Sequence, residues 1–197
     1  IESMSRVPLM SDRGALFVDQ DISASIPYVP NGVIADFFAS RNDFSREDLD
    51  QYAARSHNRA HLASEEGRFA RSLIPVLDSE GRTILDRDEL IRGNASPASL
   101  KKLNPLFAEL GAGGFDRLLL DAHPDLESIA HHHHAGNAPG MVDGASLALI
   151  GSAAAAEKLG LPMRARIRAL SYKRGPAMDQ ILLQMISQFR QWQRAFH

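Results

Sequence analysis

The sequence predicts an α/β fold, and three neighbouring stretches carry that prediction. Residues 146–150 are a near-continuous apolar run of buried-strand length, residues 152–160 are rich in alanine, and Arg164, Arg166 and Arg168 alternate with Ala165, Ile167 and Ala169. Strand, short helix and strand in succession point to a parallel sheet. Ser152 is the expected cap of the helix between them and Gly160 its stop.

Composition narrows the function classes. Of 197 residues 44% are hydrophobic and 23% charged, which is enough apolar material for a packed core. The 22 Lys and Arg against 24 Asp and Glu leave a net charge of −2, without the basic excess of a nucleic-acid binder. No apolar run reaches the ~18 residues of a membrane span, and the start lacks the pattern of a signal peptide, so a cytoplasmic location is expected, with neither nucleic acid nor membrane as partner. The chain has no cysteine, which excludes disulfides, thiolate zinc sites and a thiol nucleophile of its own. It begins Ile1-Glu2-Ser3-Met4 and reads like the middle of a polypeptide.

Taken from the start, residues 1–35 contain Pro8, Gly14, Pro27 and Pro30 ahead of Asn31-Gly32 and are expected to be irregular. Residues 33–40 suit a short helix, broken at Arg41-Asn42-Asp43. Residues 45–66 form the clearest helix: Ser45 is its N-cap, Glu47 and Asp48 lie at its positive end, and Gly67 stops it. Leu49, Tyr52, Ala53, Ser56, Ala60 and Ala63 follow the spacing of one buried face. A strand is expected over residues 69–77, a turn over 78–81 and a second strand over 83–85. Ser96-Pro97 and Asn104-Pro105 each read as a cap followed by proline, so two short helices follow, the second ending at Gly111. Residues 111–114 read as a flexible joint, and Pro124 interrupts the apolar and acidic segment over 115–130. Pro176 opens a final helix with Met178, Ile181, Leu182, Met185, Phe189 and Trp192 on one face, a core or subunit-contact helix with too few cations for a membrane surface.

Four groups of residues invite a chemical reading. His131, His132, His133 and His134 are consecutive, but in an extended segment neighbouring side chains point to opposite faces and no ligand spacing is recognised, so a histidine-rich polar loop without metal is expected. His57 and His61 lie one helical turn apart, yet Asn58 stands where a zinc protease needs glutamate, which leaves surface histidines. Gly136, Gly140 and Gly144 fit neither phosphate-loop pattern; lacking side chains, they allow backbone to approach a narrow, flexible ligand. The three alternating arginines are expected to be the wet face of their strand.

Several blocks in order carry more information than any one of them. Residues 2–8 (ESMSRVP), Phe44-Ser45-Arg46-Glu47-Asp48 followed by Ala54-Arg55-Ser56-His57, Gly67-Arg68-Phe69 with Ile74-Pro75-Val76, Ile91-Arg92, and Ala135-Gly136-Asn137 with Asp143-Gly144-Ala145 resemble the thiolase family over about residues 1–170. They look most like its bacterial acetyl-CoA acetyltransferase and β-ketoacyl-CoA thiolase members. The resemblance implies a central fragment of the layered αβαβα thiolase fold, mainly the inserted α-rich loop domain plus single strands of the two halves. Residues 1–141 would be the loop domain that covers coenzyme A. Residues 142–160 would be the last strand and helix of the N-terminal half, and 161–197 the start of the C-terminal half with a divergent amphipathic helix.

The resemblance also implies the chemistry. In the family a cysteine attacks a β-ketoacyl thioester, the carbon–carbon bond breaks and the acyl group passes to coenzyme A; the reverse is a Claisen condensation. The family's catalytic cysteines and histidine have no counterpart here, so no catalytic residue is assigned and the chain alone is expected to be inactive. Carried over by position, Arg92 and Ser99 would contact coenzyme A, while Ala135, Ala138, Pro139 and Gly140 would line the pantetheine channel. Pro139 stands where the family commonly has serine, and Pro30-Asn31 where biosynthetic members have a His-Met pair. Expected partners are acyl-CoA or acetyl-CoA, with a homo-oligomer or the rest of a thiolase chain. The alternative is a noncatalytic homologue acting as a coenzyme-A-binding or oligomerisation module.

Overall fold

A computed structural model describes residues 1–6, 14–26 and 28–170; the expected helix from Pro176 onward lies outside them. The chain divides into two compact units, Asp19–Gly140, and Ile1–Val18 with the residues from Met141 on.

The larger unit is helical. It opens with α2 (Gln20–Ser25), which follows α1 (Ala15–Val18) of the other unit in sequence, and continues with α3 (Asn31–Arg41) and α4 (Arg46–Glu65). Residues 1–35, expected to be irregular, therefore hold two short helices and the start of a third. Asp19 makes α2 possible, its carboxylate accepting from the N–H groups of Asp21 and Ile22. The long helix follows its sequence signals. The Ser45 hydroxyl accepts from Asp48 N–H while the Asp48 carboxylate accepts from Ser45 N–H, a reciprocal cap, and Gly67 ends the helix at φ +67°.

The buried face of α4 differs from the expected one. Asp50, Ala53 and Ala54 are buried, whereas Tyr52 is 67% exposed. A carboxylate takes a core position here because polar groups surround it, as described below.

The strand expected over 69–77 shrinks to β2 (Val76–Leu77), paired antiparallel with β3 (Thr83–Leu85). Residues 67–73 instead close local turns, with Ser72 and Leu73 N–H both donating to Phe69 C=O, and Pro75 has no N–H to give a ladder. The intervening turn forms as expected, the Asp78 carboxylate accepting from Glu80 and Arg82 N–H.

After α5 (Pro97–Leu100), capped by Ser96, the second helix begins not behind Asn104 but at α6 (Ala108–Leu110). Leu106 N–H donates to His133 C=O at 2.9 Å, which draws residues 104–107 out of a helical path. The stretch expected as a joint over residues 111–114 lies within a wide π turn, Gly111–Phe115, that leads directly into α7 (Asp116–Ala122); Gly114, at φ 124°, is the residue that allows it. α7 ends at His123, the residue before Pro124.

Two groups of buried residues hold this unit together. Val33, Ile34 and Phe37 of α3 are essentially inaccessible, and α3 packs on α7, whose Leu119 is also buried. Ala53 and Ala54 of α4 pack with Ala95, Leu100 and Leu103. The small side chains on α4 let the 95–103 segment approach its axis closely.

In the other unit β1 (Glu2–Ser3) pairs antiparallel with β4 (Asp143–Gly144), and the Asp143 carboxylate accepts from both the N–H and the hydroxyl of Ser5. α8 (Ala153–Lys158) has its predicted cap, Ser152, and its predicted stop, Gly160, at φ +64°. The two strands expected over 146–150 and 164–169 do not form. Both stretches are non-regular and exposed, with Leu147 at 99%. A parallel strand exists only through hydrogen bonds to a neighbour, and among the described residues neither stretch has one. No described helix is long and apolar enough to cross a membrane.

Candidate functional site

Three carboxylates on three helices meet the histidine run. Asp36 of α3 is fully buried, and burial by itself would raise its pKa. Hydrogen bonds from His133, His132 and His131 outweigh that and hold the carboxyl below its ordinary range. Oδ1 accepts from the His132 and His133 N–H groups at 2.9 and 3.0 Å and from His133 Nδ1–H at 2.6 Å, and Oδ2 accepts from His131 Nδ1–H at 2.8 Å.

The far nitrogen of His131 lies 2.9 Å from Asp116 Oδ2. With an acceptor at each ring nitrogen the imidazolium is the form that satisfies both. Burial would lower the pKa of His131, but the hydrogen bonds with Asp116 and Asp36 prevail and raise it.

His134 is the opposite case. It is inaccessible, its Nδ1 accepts from Gly136 N–H at 3.0 Å, and its Nε2–H donates to Asp50 Oδ1 at 2.7 Å. This pattern needs the neutral ring, and burial lowers its pKa accordingly. Asp50 also accepts from Asn137 Nδ2 at 3.0 Å and Arg46 Nε at 3.2 Å, while Arg46 caps the carbonyls of Leu100 and Leu103.

The histidine run is therefore a loop, but not a solvated one. It is the largely buried polar spine that ties α3, α4 and α7 to residues 131–137. Among the described residues no group of three or more His, Asp or Glu side chains is arranged to hold a metal ion.

This spine sets one wall of a cavity of about 360 Å³, whose other wall is α4. Leu49, Tyr52, Ala53, Ser56 and His57 face it from the helix, and His133, Gly136, Asn137, Ala138 and Pro139 from the loop. Arg92 stands beside the loop: its guanidinium donates to Ala135 C=O at 3.2 Å, and its backbone N–H donates to His57 Nδ1 at 3.3 Å.

The six residues singled out in the sequence fall into four places. Ala138 and Pro139 line the cavity. Arg92 and Ala135 are joined by their hydrogen bond. Ser99 sits in the cap of α5, where its hydroxyl donates to Ser96 C=O and accepts from Ser96 N–H. Gly140 lies against Leu90, and a Cβ there would come within 2.7 Å of Leu90 Cδ1. The space at Gly136 is likewise filled by Leu100 and Leu103, so at both positions the missing Cβ makes room for leucine side chains.

Asp36 and Asp50 were missed. Their signal was present: each is a carboxylate within an apolar helical stripe, Asp36 between Val33, Ile34 and Phe37, and Asp50 beside Ala53 and Ala54.

Comparison with known proteins accords with the ordered blocks. Residues 1–113 match the family described as "Thiolase, N-terminal domain". The chain is 36% identical over 143 residues to the 3-ketoacyl-CoA thiolase of Pseudoalteromonas translucida (strain TAC 125), an alignment covering 71% of this chain and 32% of that protein. It is 32% identical over 176 residues to the 3-ketoacyl-CoA thiolase of Serratia proteamaculans (strain 568), covering 87% and 40%. Among solved structures, the dimeric peroxisomal thiolase of Saccharomyces cerevisiae matches with 29% identity over 48% of this chain and 23% of its own, at a TM-score of 0.39. The chain spans about a third of the length of the first of these curated relatives. With more than half of its residues inside the matched domain, the chain belongs to the thiolase family, and its α/β make-up is part of the thiolase fold.

Proposed function

We propose that residues 19–140 form the coenzyme-A-covering part of a thiolase-type acyltransferase, which cleaves a 3-ketoacyl thioester or, in reverse, condenses acetyl units. The observation that carries this reading is the convergence of Ala138 and Pro139 on the cavity wall with Arg92, whose guanidinium braces the same loop at Ala135. A guanidinium has five N–H donors, so Arg92 keeps several for the phosphates or adenine of the coenzyme after this contact. The Ser99 hydroxyl has one lone pair left for the same ligand.

No cysteine is present in the 197 residues, so the thiolate such a reaction requires comes from outside them. The purified chain is therefore expected to bind coenzyme A and to leave acetoacetyl-CoA intact.

Titration calorimetry tests the reading. Heat of binding with coenzyme A that is lost in Arg92→Ala supports it. Binding that Arg92→Ala leaves unchanged, or no binding at all, overturns it.

A second reading rests on a different observation. Leu147, Leu149 and Ile150 are 99%, 81% and 76% exposed, a concentration of apolar surface that suits coverage by another chain. On that reading the chain is a noncatalytic binding or oligomerisation module, whose partner is a second copy or the remainder of a thiolase. Sedimentation of the wild type against Leu147→Asp and Leu149→Asp separates the two.

A further inference from the structure

The cavity holds two imidazoles that the fold fixes in opposite tautomers. His57 Nδ1 accepts from the Arg92 N–H, so the proton of its neutral ring lies on Nε2. His133 Nδ1 donates to the buried Asp36 carboxylate, so its neutral ring carries a lone pair on Nε2. Its backbone is also engaged, the N–H with Asp36 and the C=O with Leu106 N–H. Both residues line the cavity, and among the described residues neither Nε2 has a protein partner. The two imidazoles thus bring one donor and one acceptor to a cavity lined also by the apolar side chains of Leu49, Ala53, Ala138 and Pro139 and by Tyr52, Ser56 and Asn137.

We propose that this pair reads a secondary amide, His57 Nε2–H donating to its carbonyl oxygen and His133 Nε2 accepting from its N–H. The chemistry discriminates among ligand groups. A phosphate or carboxylate brings only acceptors and would set its charge against the His133 lone pair, and an ammonium brings only donors. A trans secondary amide carries one of each, pointing in opposite directions within its plane and flanked by carbon. The inference rests on the reading above, in which the pantetheine arm, with its two secondary amides, lies along Ala138 and Pro139; it names the group that is recognised and the residues that recognise it.

The test uses the full chain, coenzyme A, pantetheine, and the two pantetheine analogues in which one amide N–H is replaced by an ester oxygen. His133→Asn keeps a donor for Asp36 and removes the acceptor in the cavity; His57→Asn keeps an acceptor for Arg92 N–H and removes the donor. Imidazole ¹⁵N spectra of the free protein are expected to show His133 protonated at Nδ1 and His57 at Nε2. One ester analogue should bind the wild type roughly five- to tenfold more weakly than pantetheine, and His133→Asn should abolish that difference. Equal binding of amide and both esters to the wild type, or discrimination that survives in His133→Asn, overturns the proposal and leaves coenzyme binding standing. N-acetyl-β-alanine methylamide and its ester, followed by the same ¹⁵N shifts, separate the two failures. Discrimination for this small probe without binding of coenzyme A upholds the amide site and discards the coenzyme reading, and no response to any probe discards both.

Discussion

Asp50 Oδ1 and His134 Nε2 lie 2.7 Å apart with their side chains 2% and 0% exposed, and this contact fastens α4 to the loop that forms the facing wall of the cavity. The pair is neutral on the imidazole side, because Gly136 N–H occupies the other ring nitrogen. Its partners, Arg46 and Asn137, extend the fastening to the carbonyls of Leu100, Leu103 and His132.

Asp50→Ala is therefore expected to cost about 3 kcal/mol of stability, since it strands the N–H groups of His134 and Asn137 and removes the counter-charge of Arg46. Urea unfolding measures this. A loss under about 1 kcal/mol would mean that water replaces the carboxylate, and the contact would not be the fastening described.

Two histidines three residues apart should titrate with opposite consequences. The folded pKa of His131 is raised above its ordinary value of 6.5, so the folded state binds the extra proton; the stability this contributes is complete below about pH 6.5 and is lost as pH rises through the folded value. The folded pKa of His134 is lowered, so the unfolded state is protonated first, and stability is lost as pH falls below about 6.5 toward the folded value. The destabilisation caused by His131→Gln is expected to be larger at pH 5.5 than at pH 8.5, and that caused by His134→Gln larger at pH 8.5 than at pH 5.5. Unfolding curves at the two pH values check both signs.

Gly136→Ala is expected to destabilise by about 1–3 kcal/mol, because its Cβ would come within 2.5 Å of Leu100 Cδ2 and 2.8 Å of Leu103 Cδ1. Leu100 is only 2% exposed and has little room to yield. The strain falls between His134 and Asn137, so coenzyme A binding should weaken together with stability; calorimetry on the variant reads the former and urea the latter. Unchanged values for both would show that the loop shifts freely.

Ser45→Ala removes one half of the reciprocal cap with Asp48 and should cost about 1 kcal/mol, read as a lower urea midpoint at unchanged slope. Coenzyme binding should not change, since Ser45 lies outside the cavity, whose lining on this helix begins at Leu49.

Local devices were legible in the sequence wherever a few adjacent residues complete the physics. The Ser45 cap with its Gly67 stop, the Ser96-Pro97 start and the Ser152 to Gly160 helix each satisfy their own backbone groups within one turn. The expected strands over 146–150 and 164–169 misled for the complementary reason: their apolar pattern is that of a strand, but a strand's hydrogen bonds belong to its neighbours. Asn104 lost its capping role to a bond between Leu106 and His133, 27 residues further on, which no local pattern announces.

By itself, then, the sequence determined the helix ends, the lack of a thiol nucleophile, and through its ordered blocks the family. Tertiary structure alone decided the state of three of the four histidines. The imidazoles of His131, His133 and His134 take their proton arrangement from carboxylates 15 to 97 residues distant and, for His134, from a nearby N–H that folding sets beside it, and burial magnifies these contacts by removing the water that would otherwise equalise them.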